Sequence, residues 1–174
     1  MNILLDLDQT IIASEYIDKF AQKNQAVLKK LNHVMLDNDF IIFERPHLQE
    51  FLDFLFANFN VSVWTAASRD YGMFIVKNFI LTKPNRRIDF FFYSYHTNMA
   101  MRESKKLKDL SMLWRVFKLS RYNAKNTFII DDNQLVYDAQ PNNTIRILEF
   151  NYDDPNAEKD SELVRIKQLL KKFK

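Results

Sequence analysis

Cysteine is absent from the 174 residues, which excludes disulfides and thiolate metal sites and suits a reducing compartment. Glycine occurs once and proline four times, so there is no room for a flexible linker. No internal repeat or low-complexity segment is present. The three histidines, His33, His47 and His96, are scattered, which argues against a histidine metal site. No apolar run is long enough to span a membrane. The N-terminus does not read as a signal peptide, because Asp6 and Asp8 interrupt its apolar stretch. The expectation is an intracellular chain, nuclear or cytoplasmic, without a membrane partner. The excess of positive charge is mild. A net charge of +3 permits an acidic or phosphorylated partner but does not argue for direct nucleic-acid binding. Arg86-Arg87 and Lys171-Lys172 with Lys174 read most simply as solvated charges.

What is present is a core. The chain is 47% hydrophobic, with 16 Phe and 7 Tyr, and its length suits a single domain over residues 1–174. Strand-like and helix-like segments alternate. Asn2 to Leu5 is a short apolar run with the flanks of a buried strand. Ile17, Phe20, Ala21, Val27, Leu28 and Leu31 fall at helical spacing, so the pattern predicts one amphipathic helix over about residues 15–32. Strands are expected at 40–43, 61–64, 90–95, 127–130 and 145–148, and helices at 46–58, 69–81, 107–118 and 161–173. This alternation predicts an α/β fold with a mainly parallel sheet flanked by helices.

The chemistry gathers where ligands bind in such sheets, beyond the carboxyl ends of the strands. Asp6 and Asp8 end the first strand, with Thr10 two residues on. Thr65-Ala66-Ala67-Ser68 ends another strand, and Asp131-Asp132 a third. Side-by-side carboxylates at buried strand ends repel one another unless a cation sits among them. One of them can then serve as a nucleophile and its neighbour as a proton shuttle. Phosphate monoester hydrolysis needs these parts: Mg²⁺ on oxygen ligands, a hydroxyl for the phosphate oxygens, and a lysine. The ordinary alternatives are an acidic turn for Asp6 and Asp8, and a purely structural cation site.

LLDLDQT, VWTAASRDY, RESKKLKDLSML and FIIDD, in that order, resemble the four motifs of the haloacid dehalogenase (HAD) superfamily of phosphatases. FERPHLQEFLDFL resembles one branch of it, the NLI-interacting-factor type that acts on the C-terminal domain of RNA polymerase II. The resemblance covers roughly residues 1–150. It implies a Rossmann-like HAD fold with a small, reduced insert, and Mg²⁺ as cofactor. Asp6 would be the nucleophile and Asp8 the acid and base; Asp8 would also bind the metal through its main-chain carbonyl. Thr65 and Ala66 would hold phosphate, and Lys108 would steady Asp6 and the phosphoryl group. Asp131 and Asp132 would complete the metal site. Arg102, Tyr71 and Tyr16 stand where the family meets its peptide, although all three read equally well as salt-bridge or core residues. The implied partner is a phosphorylated protein or peptide, such as the polymerase tail. Two alternatives stay open: a phosphatase acting on small molecules or nucleic-acid ends, and an inactive relative that binds phosphopeptides. The segment between Asp8 and Arg45 does not read as the family's hairpin. The short spacing from Arg102 to Lys108 predicts a missing strand in the insert, hence a shallow groove. So compact a form suits a large DNA virus or another AT-rich genome.

Overall fold

The computed structural model describes residues 1–23 and 25–173, Gln25 through its backbone alone. Its strands are β1 (Asn2–Leu5), β2 (Ile12–Tyr16), β3 (His33–Leu36), β4 (Phe40–Glu44), β5 (Asn60–Trp64), β6 (Phe91–Phe92), β7 (Thr127–Asp131) and β8 (Thr144–Arg146). Its helices are α1 (Ile17–Phe20), α2 (Leu48–Asn58), α3 (Arg69–Ile75), α4 (Ser94–Ser104), α5 (Ser111–Arg115), α6 (Gln134–Ala139) and α7 (Glu162–Leu170). A π-helical turn, Val76–Ile80, continues α3.

β1 is the middle strand of a five-stranded parallel sheet in the order β6-β5-β1-β7-β8. Both of its faces are buried, which explains its unbroken apolar sequence. Ile3 and Leu5 point into a cluster with Phe51, Leu52 and Leu55 of α2 and Leu163, Ile166 and Leu170 of α7. Leu4 points the other way, toward Trp64, Ala100, Leu113, Ile129 and Val136. Each such side chain, fully buried, contributes roughly 1.5–3 kcal/mol. The register sets Leu5 beside Val63 on one neighbour and Ile130 on the other. Asp6, Thr65 and Asp131 therefore leave the sheet at the same end.

The chain's one glycine, Gly72, sits in α3 for reasons of space. A Cβ there would meet Phe91 Cζ at 2.6 Å and Thr65 Cγ2 at 3.3 Å, so glycine lets α3 pack down on β5 and β6.

The stretch expected to be one long helix over 15–32 is different. It holds the end of β2, the single-turn α1, and a 3₁₀ turn at Gln25–Lys29. β2 joins a second, antiparallel sheet in the order β2-β4-β3, in which β3 and β4 form the hairpin that the sequence did not suggest. The apolar residues spaced as on a helix instead serve two short turns. Phe20 and Leu31, with Ile17, Val27 and Leu28 at the margin, pack on Phe43 of the small sheet together with Phe150 and Tyr152. The strand expected over 90–95 is the two-residue β6, and the helix α4 takes over from Ser94, filling most of the segment before Lys108. The helix expected over 107–118 shrinks to α5. No helix among the described residues is long and apolar enough to cross a membrane.

Candidate active site

Lys108 is the centre of the site. Its Nζ lies 2.6 Å from Asp6 Oδ1 and 2.7 Å from Asp131 Oδ2, and all three side chains are buried or nearly so. Burial alone would lower the lysine pKa, but the flanking charges of Asp6 and Asp131 overcome that and raise it above its usual value. Lys108 is therefore a fixed cation. An ammonium has three protons, and two are committed to carboxylates. Asp6 is the converse case: burial, reinforced by Asp131 and Asp132, outweighs Lys108 and pushes its carboxyl up. That balance describes carboxylates crowded around too little positive charge.

Asp6, Asp131 and Asp132 offer carboxylate oxygens that all lie within 4.8 Å of one another. Thr10 donates to Asp132 Oδ1 at 3.0 Å, and the Asn133 N–H donates to Asp131 Oδ1 at 2.9 Å, which aims both aspartates. The three are hard oxygen donors without histidine or cysteine among them, so the set fits Mg²⁺ better than Zn²⁺.

Asp8 stands apart from that cluster. The Tyr71 hydroxyl, 2.6 Å from its Oδ1, donates to it and lies 2.8 Å from Ser14 Oγ. Burial raises the Asp8 pKa against the pull of these hydrogen bonds. Burial and the Asp8 charge likewise hold the Tyr71 hydroxyl protonated. Opposite, the Thr65 hydroxyl accepts the Ala67 N–H at 3.0 Å, and Ser68 caps α3. Asp6, Asp8, Thr65, Ala66, Lys108 and Asp132 all line one cavity of about 170 Å³.

The remaining sequence candidates divide. Tyr71 lines a larger groove of about 470 Å³, which Asp8 also lines. Tyr16 is exposed at the end of β2, its ring 4.5 Å from that of Phe40, a groove residue. Arg102 is exposed in the last turn of α4 and lines neither cavity.

Sequence reasoning missed several supports. Gln140, at the end of α6, donates to the Lys108 carbonyl at 2.7 Å and accepts from the Leu110 N–H, fixing the loop that carries the lysine. Thr97 of α4 accepts from Trp64 Nε1 and donates to the Thr65 carbonyl. Arg45, fully buried, donates to the Thr10 carbonyl at 2.8 Å and forks onto Asp160. Only Arg45 left a signal, the Arg-Pro pair in FERPHLQEFL.

Residues 1–174 match the NLI interacting factor-like phosphatases. The chain belongs to that family. Among its relatives, the CTD phosphatase-like protein 355R of Invertebrate iridescent virus 3 is 40% identical, over 99% of this chain and 96% of the relative. The protein of the same name in Invertebrate iridescent virus 6 is 39% identical, over 97% and 96%. Relatives of matching length thus occur in viruses, in keeping with the compact form. The ubiquitin-like domain-containing CTD phosphatase 1 of Danio rerio is 30% identical over 80% of this chain and 49% of that protein. The solved structure of Fcp1, an essential RNA polymerase II CTD phosphatase, superposes with a TM-score of 0.60 at 20% identity. That match covers 97% of this chain and 49% of Fcp1, and it shows that the HAD fold is shared. The chain spans about half the length of these last two proteins.

Proposed function

We propose that this NLI interacting factor-like chain is a Mg²⁺-dependent phosphatase that hydrolyses phosphoserine monoesters in peptides by way of a phosphorylated Asp6. The observation that carries the reading is the ion-paired trio of Asp6, Lys108 and Asp131 at the cavity that Thr65 also lines. A module that only binds phosphopeptides has no use for a second carboxylate, Asp8, lining the same cavity as Asp6.

In the first step an Asp6 oxygen bonds to phosphorus, the bond from phosphorus to the serine oxygen breaks, and that oxygen takes a proton from Asp8. In the second step a water oxygen attacks phosphorus and gives its proton to Asp8. The Asp6–phosphorus bond breaks, and inorganic phosphate leaves. The raised Asp8 pKa suits its first task, and Tyr71 holds the carboxyl in place for both. Lys108 and Thr65 would stabilise the charge on the phosphoryl oxygens. Asp6, Asp131 and Asp132 would hold Mg²⁺, with the main-chain carbonyl of Asp8. When bound, the ion supplies the positive charge that lets an anionic nucleophile approach an anionic ester.

The groove of about 470 Å³ favours a peptide over a small phosphate, since it neighbours the reaction cavity, with Asp8 lining both. The names of the relatives point to the phosphorylated tail of RNA polymerase II as the substrate to try first. The test is turnover of an aryl phosphate and of a Ser-Pro phosphopeptide, with and without Mg²⁺. Metal-dependent release of phosphate from both supports the reading. Binding without turnover would make the chain a phosphopeptide reader, and turnover of the aryl phosphate alone would favour a small-molecule enzyme.

A further inference from the structure

The chain as a whole is basic, with a net charge of +3, yet the groove of about 470 Å³ beside Asp8 is acidic. The residues lining it are Asp8, Ser14, Leu36, Asp37, Phe40, Ser68, Asp70 and Tyr71, three carboxylates with no lysine or arginine among them. Asp8 belongs to the reaction and is held by Tyr71. Asp37 and Asp70 are exposed, and neither is ion-paired among the described residues. They come from different elements: Asp37 from the tight turn between β3 and β4, where its φ is +49°, and Asp70 from the first turn of α3. Between them the floor is aromatic, with the Phe40 and Tyr71 rings edge to face at 5.7 Å. Tyr16 extends that row on the far side of Phe40, and a cation already rests on it: Lys19 Nζ lies 5.1 Å from the Tyr16 ring centre.

An aromatic floor beneath unpaired carboxylates matches a side chain with an apolar stem and a cationic head. It repels a second phosphate or a glutamate. Resting on the proposed phosphatase reading, we infer that the groove selects phosphoserine peptides with a lysine or arginine next to the phosphosite, and rejects acidic or multiply phosphorylated neighbours. The cationic head would meet Asp37 and Asp70 while its stem lies on Phe40 and Tyr71. Because Asp8 lines both the groove and the reaction cavity, the same residue would help to set the ester over Asp6.

The test is a set of singly phosphorylated serine peptides that differ only in placing Lys, Ala or Glu at each flanking position. kcat/KM is measured for the wild-type chain and for the double variant Asp37→Asn, Asp70→Asn. Exposed charge pairs are weak individually, so lysine should beat glutamate by about tenfold at the best position in wild type at low salt. The preference should shrink toward one in the double variant and fade as salt screens it. Asn keeps the shape of Asp, and each variant is judged by its own lysine-to-glutamate ratio, so a general loss of activity cancels. Equal rates for lysine and glutamate peptides, or a preference unchanged in the double variant, would overturn the inference while leaving the phosphatase reading standing. Failure to turn over any phosphoester, aryl phosphate included, would remove that reading and this one with it.

Discussion

Replacing Arg45 with methionine should cost the fold about 3 kcal/mol, and the structure says where the loss arises. The guanidinium is fully buried. It donates through Nε and Nη2 to the two carboxylate oxygens of Asp160, at 2.9 and 2.8 Å, and through Nη1 to the Thr10 carbonyl at 2.8 Å. It also lies over the Phe150 ring, 5.3 Å from its centre. Methionine keeps most of the stem and its contact with Phe150, so the change isolates the charge and its hydrogen bonds. Removing one partner of a buried ion pair costs about 3–5 kcal/mol. The Asp160 side chain is 17% exposed, so water recovers part of this, which favours the lower end of the range. In a chain of this size, 3 kcal/mol lowers Tm by about 6–12 °C. Arg45→Lys keeps the charge but not the fork and should lose about 2 kcal/mol. Urea unfolding of Arg45→Met, Asp160→Asn and the double variant gives the coupling, expected at about 1.5 kcal/mol. A loss under about 1 kcal/mol for Arg45→Met, or strict additivity in the cycle, would refute the argument. The consequence reaches the site as well. The Thr10 carbonyl that Arg45 holds belongs to the loop carrying Asp8, in which Gln9 has a φ of +61° and Thr10 aims Asp132.

Gly72→Ala should destabilise the chain by about 1 kcal/mol, the overpacking against Phe91 and Thr65 outweighing the gain in helix propensity, as read by Tm. It should also lower kcat by displacing Thr65. Tyr71→Phe removes the hydroxyl that donates to Asp8, and should lower kcat about tenfold on aryl phosphate and peptide alike. An effect on the peptide alone would make Tyr71 a substrate contact only. Chelator should abolish turnover, Mg²⁺ should restore it and Ca²⁺ should do so poorly, because its looser coordination misplaces the carboxylates; restoration by Zn²⁺ alone would contradict the oxygen-only donor set.

The parallel sheet was legible because β1, β5 and β7 are buried on both faces, which favours apolar runs bounded by polar residues, interrupted only by Ser62 in β5. Their shared register makes the strand-end residues converge, so the sequence alone groups Asp6, Thr65 and Asp131. The small sheet was not legible. β2 turns polar at Ser14 and Glu15, and the apolar run of β3 is only three residues, Val34 to Leu36, alternately exposed and half-buried, too short to stand out as a strand. Meanwhile Phe20, Val27 and Leu31 mimic a helix although they belong to separate turns. α4 was missed for the opposite reason: only Thr97 and Ala100 of its residues are buried, too few to show a period. The supports at the site escaped because their contacts are remote. Gln140 reaches a carbonyl 32 positions away and Arg45 a carboxylate 115 positions away, distances at which side-chain pairing leaves no local pattern.

The most direct test of the account is to look for phosphate on Asp6. The chain is mixed with Mg²⁺ and a ³²P-labelled phosphopeptide and quenched in acid within a single turnover. Borohydride then reduces any acyl phosphate, turning the modified aspartate into homoserine for mapping by mass spectrometry. The account predicts acid-stable, hydroxylamine-labile label on the protein, homoserine at position 6, and neither in Asp6→Asn. Turnover with no label on the protein at any quench time, or homoserine at another aspartate, would contradict it.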